Sequence, residues 1–374
     1  MPEQESVTAP VSGSEPFSPG LLTHLPRPVH KVALVRASRL GDFICAGPAF
    51  RALRMALPDA EICMVTLPIL ADLADRSPYF DRTILFPGYP GLAEQFFDAR
   101  RALAFFQAMQ AERFDLAIQM QGSGVNSNPF TLMLGAKATV GFIRPEDTPG
   151  RLDAALPLPD TGHEIHRVRA LTDFLGAPAQ GDETCFPLWP EDRKAAETLL
   201  ANVQAPLIGL HPTARDATRR WPPDRFAAAV AHLQESHGGT VVLLGEAEEQ
   251  ETARMVAAGI LGSCLDLTGR TSLPVLGAVI DRLAVLITND TGPAHIAYAL
   301  GTPTVTIFGG GDPARYGPLI PGPFRVLAEP CQCRGLNRGD CPHGAPCLDA
   351  ITVNAVLSAS EGVIRLGTLP DVTA

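Results

Sequence analysis

The chain has 374 residues, 46% of them hydrophobic, which is enough to build two buried cores. With 30 Lys and Arg against 40 Asp and Glu, the formal net charge of -10 argues against a general nucleic-acid binder, because that function needs a basic footprint. The longest apolar runs fall short of a membrane span, and the first thirty residues lack a charged start followed by an apolar stretch, so a cytoplasmic protein is expected.

Residues 1–29 are rich in Pro, Ser and Glu without apolar periodicity and read as a flexible tail. A strand over Lys31–Val35 then feeds the turn Arg36-Ala-Ser-Arg-Leu-Gly-Asp42, followed by a helix over Ala46–Leu57 that Pro58 closes. Asp42 stands at the helix entry beside Arg36, Ser38 and Arg39. It is either a simple N-cap, worth roughly 1 kcal/mol, or a functional carboxylate, and the local sequence leaves both readings open. Strands at Glu61–Thr66, Thr83–Phe86 and Phe114–Gln119 alternate with helices at Ile69–Asp75 and Ala93–Ala111. The loop from Gln121 to Ser127, which includes Asn126, is polar and uncharged and suits a hydroxyl-rich ligand, although most such loops are only loops. A helix over His163–Leu175 carries His163, His166, Arg167 and Arg169, which a solvated face explains better than an anionic acceptor site. This half reads as one doubly wound α/β domain.

Gly176–Pro190, dense in Gly and Pro, reads as the connection to a second α/β series. After a helix over Glu191–Ala201, the strand Leu207–Leu210 runs into a loop carrying Thr213, Arg215, Arg219 and Arg220. This is the most basic loop of an acidic chain, placed where a diphosphate would bind. The strand Thr240–Leu244 leads to Glu246 and Glu248, either of which can accept hydrogen bonds from a ribose diol. The strand Ala284–Thr288, the turn Asn289-Asp290-Thr291-Gly292, a helix and the strand Thr304–Phe308 then form a βαβ unit. Its turn offers capping side chains and outward N–H groups at a helix start, where dipoles favour phosphate. His295, one turn into the helix, can add a donor or a positive charge. Two such domains with polar turns at strand ends suggest a ligand bound between them.

Three stretches give the chain a specific resemblance. Arg36-x-Ser-x-Leu-Gly-Asp42 with Pro48 behind it, Arg219-Arg-Trp-Pro222, and Asn289-Asp-Thr-Gly-Pro-x-His295 running on to Gly301-x-Pro303 and Phe308-Gly309 occur together and in order. The chain resembles glycosyltransferase family 9, the bacterial ADP-heptose heptosyltransferases of lipopolysaccharide synthesis, over roughly residues 30–360. The resemblance implies an α/β fold of GT-B type, with two Rossmann-like domains facing each other across a cleft. It divides the chain into a tail (1–29), an acceptor-binding domain (30–180), a connection with the first helix of the next domain (181–205), a nucleotide-sugar domain (206–345) and a C-terminal helix crossing back to the first domain (346–374).

The resemblance implies that Asp42 is the general base of an inverting transfer. The donor, with ADP-heptose as the expected nucleotide sugar, would be held by Thr213, Arg219, Glu246, Glu248, Asp290, Thr291, Gly292 and His295. Arg36, Ser38, Gly41, Gln121 and Asn126 are candidates for contact with a glycan or lipid-linked glycan acceptor. Related enzymes often have a basic residue where this chain has Val125-Asn126-Ser127, and Gly309-Gly-Gly-Asp312 replaces a commoner Gly-Pro-Thr-like turn, so the acceptor stays open between lipopolysaccharide core, another glycan and a protein side chain. A nucleotide-sugar epimerase and a non-catalytic nucleotide-sugar binder are the alternatives on the same scaffold. No Asp-x-Asp motif occurs, so no cofactor is expected to be required for catalysis. Peripheral contact with the cytoplasmic face of the inner membrane would involve Arg51, Arg54, Arg100 and Arg101.

Of the eight Cys, Cys331, Cys333, Cys341 and Cys347 cluster with His343 in a Gly-rich segment. Four thiolates could hold a structural zinc or iron, while the inner spacings depart from paired C-x-x-C knuckles and leave reduced thiols or one disulfide equally open. The other four, Cys45, Cys63, Cys185 and Cys264, read as buried small residues.

Overall fold

The computed structural model describes residues 20–25, 28–92, 95–331, 341 and 346–364. Strands β1 (Lys31–Val35), β2 (Glu61–Thr66), β3 (Arg82–Leu85), β4 (Leu116–Gln119), β5 (Ala138–Ile143) and β6 (Ala154–Pro157) form a six-stranded sheet in the order 3-2-1-4-5-6. Strands β7 (Leu207–His211), β8 (Thr240–Leu243), β9 (Cys264–Asp266), β10 (Val285–Asn289), β11 (Thr304–Phe308) and β12 (Phe324–Ala328) form a second, in the order 12-11-10-7-8-9. Every pairing between these strands is parallel, and β4, β7, β10 and β11 are buried along their whole length, as helices on both faces of a sheet require. Strands β5 and β6 went unread in the sequence because they follow one another without a clear helical pattern between them.

Strand order reverses between β1 and β4 in the first sheet and between β7 and β10 in the second. Ligands of open α/β sheets bind outside the carboxyl ends of strands at such reversals. Asp42 follows β1, Gln121 follows β4, Thr213 follows β7 and Asp290 follows β10, so the motif residues come from the four strands at the two switch points.

Alternate residues of β1 serve opposite faces. Val32 and Leu34 pack with Phe50 and Leu53, whereas Ala33 and Val35 pack with Ala102, Phe106 and Met109. The helices Gly47–Ala56 and Ala99–Glu112 therefore lie on opposite faces of the first sheet. Arg51 and Arg54 are separated from Arg100 and Arg101 by the sheet, and Arg51 pairs with Glu183 while Arg54 caps the carbonyls of Leu57, Pro58 and Ala60.

The first core continues into the second sheet. One hydrophobic cluster joins Leu34, Phe43 and Phe50 to Leu207, Val242, Leu286 and Ile296, and Phe186 of the Pro-rich connection is buried in it. The helix Val353–Glu361 departs from expectation. It packs against the helix Pro223–His237 and beside β11 and β12, with Val356 and Val363 in the second sheet's own core and His237 Nε2 2.8 Å from Glu361 Oε1. Within the described residues its packing is on the second sheet.

Candidate active site

The site is built around two helix starts that face each other. The helix Leu40–Cys45 begins after β1, and the helix Gly292–Leu300 begins after β10 with Thr291 at its N-cap and Pro293 in its first turn. Their approach depends on two glycines: a Cβ on Gly41 would lie 2.6 Å from His295 Cδ2, and one on Gly292 would lie 2.8 Å from Leu40 Cδ2. At Gly41 only a hydrogen atom fits against the His295 ring, while at Gly292 the flexible end of Leu40 would have to move.

Asp42 occupies the first turn of its helix, with Arg39 at the N-cap and no side-chain cap made, so the capping reading fails. Its Oδ1 accepts a hydrogen bond from Tyr316 Oη at 3.2 Å, and its backbone carbonyl accepts from Arg36 Nη2 at 2.8 Å. Burial raises the Asp42 pKa, and the neighbouring Glu164 adds to this, while Arg36, the Tyr316 hydroxyl and Arg315 oppose it. Arg36 is buried beneath, donating also to the Met120 carbonyl and lying 3.5 Å from Glu164 Oε1. Its nitrogens Nη1 and Nη2 are committed inside the fold and support the Asp42 turn, while its Nε is a buried atom without a protein partner. Ser38 Oγ and Gln121 Oε1 are likewise buried polar atoms without a protein partner at this edge. Asn126 is exposed and donates to the Gly91 carbonyl at 3.0 Å, which ties it to the neighbouring loop and not to Asp42.

Across the cleft, Asn289 ties both ends of the loop after β7 to the end of β10. Its Oδ1 accepts from the Trp221 backbone N–H at 3.0 Å, and its Nδ2 donates to the carbonyls of Pro212 at 3.0 Å and Thr213 at 3.2 Å. Arg219 Nη1 lies 3.1 Å from Asp290 Oδ2. Burial raises the Asp290 pKa to about 6 in spite of Arg219, with Asp42 among the charges that push it further up. The Gly309-Gly-Gly311 turn fits against this pair: a Cβ on Gly309 would sit 2.2 Å from the Thr218 carbonyl, and one on Gly311 2.1 Å from Asp290 Oδ2.

His295 is buried against Gly41, with Nδ1 3.7 Å from Cys45 Sγ, and burial lowers its pKa to about 4. It is neutral near pH 7, which leaves the donor of the two expected roles, donor or positive charge. Thr213 Oγ1 lies 3.2 Å from His211 Nε2 and donates to Glu249, while His211 Nδ1 lies 3.1 Å from Thr291 Oγ1. Glu249 also accepts from the Glu246 backbone N–H at 2.8 Å. Burial works against its ionisation, but His211 and Thr213 outweigh it and lower its pKa to about 2. Glu249 thus braces the turn, leaving the exposed carboxylates of Glu246 and Glu248 open to solvent.

Several participants escaped the sequence reading. His211 ends a buried strand, and a polar residue there is a signal that could have found it; Asn289, read only as a capping side chain, instead bonds Pro212, Thr213 and Trp221. Glu164, Arg315 and Tyr316 carried no signal. The helix Glu164–Leu175 is not a solvated face either: Glu164 and Arg167 are buried, His163 donates to the Gly317 carbonyl at 2.8 Å, and only His166 and Arg169 reach outward to Asp182. Of the cysteine cluster, Cys333 lies outside the described residues, as does His343. Cys347 is buried with its thiol beside Cys331, and burial together with that neighbour raises its pKa to about 11. Among the described residues no three His, Cys, Asp or Glu side chains converge on a metal position.

The family model for glycosyltransferase family 9 (heptosyltransferase) matches residues 102–334, more than half of the chain. The chain belongs to this family. It is a glycosyltransferase. It is 24% identical over 339 residues to lipopolysaccharide heptosyltransferase 3 of Escherichia coli K12, covering 87% of this chain and 95% of that one. It is 32% identical over 311 residues to lipooligosaccharide heptosyltransferase 2 of Haemophilus ducreyi, covering 78% and 84%. The solved structure of E. coli ADP-heptose lipopolysaccharide heptosyltransferase II superposes with a TM-score of 0.73 at 21% identity, over 89% of this chain and 98% of that chain, and supports the GT-B fold. No helix among the described residues of this glycosyltransferase is long and apolar enough to cross a membrane.

Proposed function

We propose that this glycosyltransferase moves a heptosyl residue from ADP-heptose to a hydroxyl of a lipopolysaccharide-core acceptor, with inversion at the transferred carbon. The names of the relatives above favour this donor and acceptor, and the observation that carries the mechanism is the opposition of Asp42 to the Arg219–Asp290 turn across the closely packed helix starts. In this reading residues 30–180 present the acceptor and residues 206–345 hold the nucleotide sugar. The acceptor hydroxyl gives its proton to the Asp42 carboxylate as its oxygen attacks the anomeric carbon. The bond from that carbon to the diphosphate oxygen breaks, and ADP leaves with the electron pair.

Charge develops on the leaving diphosphate, so preorganised donors there do most of the work. Arg219 supplies the cation, and the backbone N–H groups of Thr291 and Gly292 at a helix start supply dipoles. Ser38 Oγ and Gln121 Oε1, lacking protein partners, are suited to acceptor hydroxyls. Glu246 is the better candidate for the ribose diol, since Glu249 anchors its backbone. Transfer assays with ADP-heptose and a lipopolysaccharide inner-core extract test the reading. Asp42→Asn should keep ADP binding and abolish transfer, and equal activity in that variant removes Asp42 from the mechanism.

A further inference from the structure

Three consecutive residues after β11 each reach across to the first sheet's helices. Arg315 Nε donates to Glu164 Oε2 at 2.9 Å, Tyr316 Oη donates to Asp42 Oδ1 at 3.2 Å, and the Gly317 carbonyl accepts from His163 Nε2 at 2.8 Å. They stand on a single helical turn, Pro313–Tyr316, fixed by the Asp312 side chain accepting from Ala314 N–H. Their targets are fixed as well. Glu164 is buried between Arg36, Arg167 and Arg315, and His163 caps its helix by accepting the Ile165 N–H at Nδ1, so the proton on Nε2 points at Gly317.

We infer that Arg315-Tyr316-Gly317 is the element through which closure of the nucleotide-sugar half completes the catalytic base, with Tyr316 as the positioning residue that holds the Asp42 carboxylate. The inference rests on the proposed role of Asp42. Its physical basis is that all three contacts join one short turn of the second sheet to the β1 and Glu164 helices. Separation of the two halves would break them together. Glu164 would then keep Arg36 and Arg167 but lose Arg315, and Asp42 would lose its hydroxyl donor. A neutral phenol can only donate to a carboxylate, and Tyr316 is held neutral because burial and the adjoining Asp42 raise its pKa. A donated bond favours the ionised, basic form of Asp42. Its loss therefore moves the protonation of Asp42 to higher pH.

The test is Tyr316→Phe, assayed for release of ADP from ADP-heptose with a lipopolysaccharide inner-core extract across pH 5–9. The expected result is a kcat about tenfold lower, an acidic limb of kcat/KM displaced to higher pH, and unchanged affinity for ADP by calorimetry. A kcat and a pH profile that superimpose on those of the parent protein overturn the inference. Arg315→Lys serves as a second variant, expected to lower kcat with ADP affinity retained, because a point charge cannot reproduce the guanidinium contacts to Glu164. Asp42→Asn, run alongside, separates the two ideas. If it transfers normally, the role of Asp42 fails. If it is inactive while Tyr316→Phe is fully active with an unmoved profile, only the closure element fails.

Discussion

Arg219 and Asp290 form a half-buried ion pair 3.1 Å apart at the end of β10, and the carboxylate is the more deeply buried partner. The arginine side chain is the more exposed partner, 27% against 3%, and in the proposed reading it is the one that also meets the diphosphate. Exchange of Arg219 for Ala should weaken ADP binding by about 10- to 100-fold, as loss of a charge-assisted bond to phosphate implies. It should also lower kcat, because the leaving group loses its counter-charge. Calorimetry with ADP and steady-state transfer assays check both effects, and unchanged ADP affinity would place the diphosphate elsewhere.

Asp290 itself makes stability depend on pH. Its pKa is raised from 3.8 to about 6, so its contribution to stability is fully present below pH 3.8 and is lost as pH rises through 6. The gap corresponds to a penalty on the order of 3 kcal/mol at neutral pH. Asp290→Asn, which imitates the protonated form, should melt higher than the parent protein at pH 7–8, and the difference should vanish as pH falls toward 4. Thermal melts across that range decide the matter, and a variant less stable than the parent at pH 8 contradicts the assignment.

Gly41→Ala places a methyl group 2.6 Å from a buried imidazole that packing prevents from swinging away. The Asp42 helix must then retreat from the Gly292 helix. The expected effects are a loss of about 1–3 kcal/mol in stability and a fall in kcat of roughly a hundredfold, since misplacing a base by an ångström is that severe. Denaturant titration and kinetics should show the kinetic loss outlasting the stability loss at low temperature.

Asn289→Ala should be strongly destabilising to the second-sheet half. It leaves the Trp221 N–H and the carbonyls of Pro212 and Thr213 without their partner inside the fold. At about 1 kcal/mol for each lost bond and more for the orphaned N–H, a loss of roughly 3–4 kcal/mol is expected. Because the same side chain ties the Thr213 loop to the Asp290 turn, ADP affinity should fall with it, measured at a temperature where the variant is folded.

Acid pH should silence the enzyme earlier than an ordinary aspartate would. Burial raises the Asp42 pKa, and in the proposed mechanism only its ionised form takes the proton of the acceptor, so activity should be lost as pH falls through that raised value. The acidic limb of kcat/KM in the parent protein should lie above 3.8, the usual aspartate value.

Periodicity and turn chemistry alone were enough to read β1, β2, β7, β10 and β11, because buried parallel strands are short apolar runs bounded by Gly and polar turns. They also placed Asp42, Thr213, Arg219 and Asp290 at strand ends, which is a local property. Contacts between the two sheets were not legible. Arg36 as an internal brace, His295 as a neutral packed ring, Glu249 as the brace between the Thr213 loop and the Glu246 turn, and the Tyr316 hydroxyl on Asp42 all depend on residues far apart in the chain meeting in space. The C-terminal helix shows the same limit, since an amphipathic pattern says that a helix has an apolar face and not which groove receives it. The sequence determined the α/β series and the chemistry at each turn through short-range sterics and burial. Tertiary structure alone decided which charges are buried together and which side chains are consumed holding others in place.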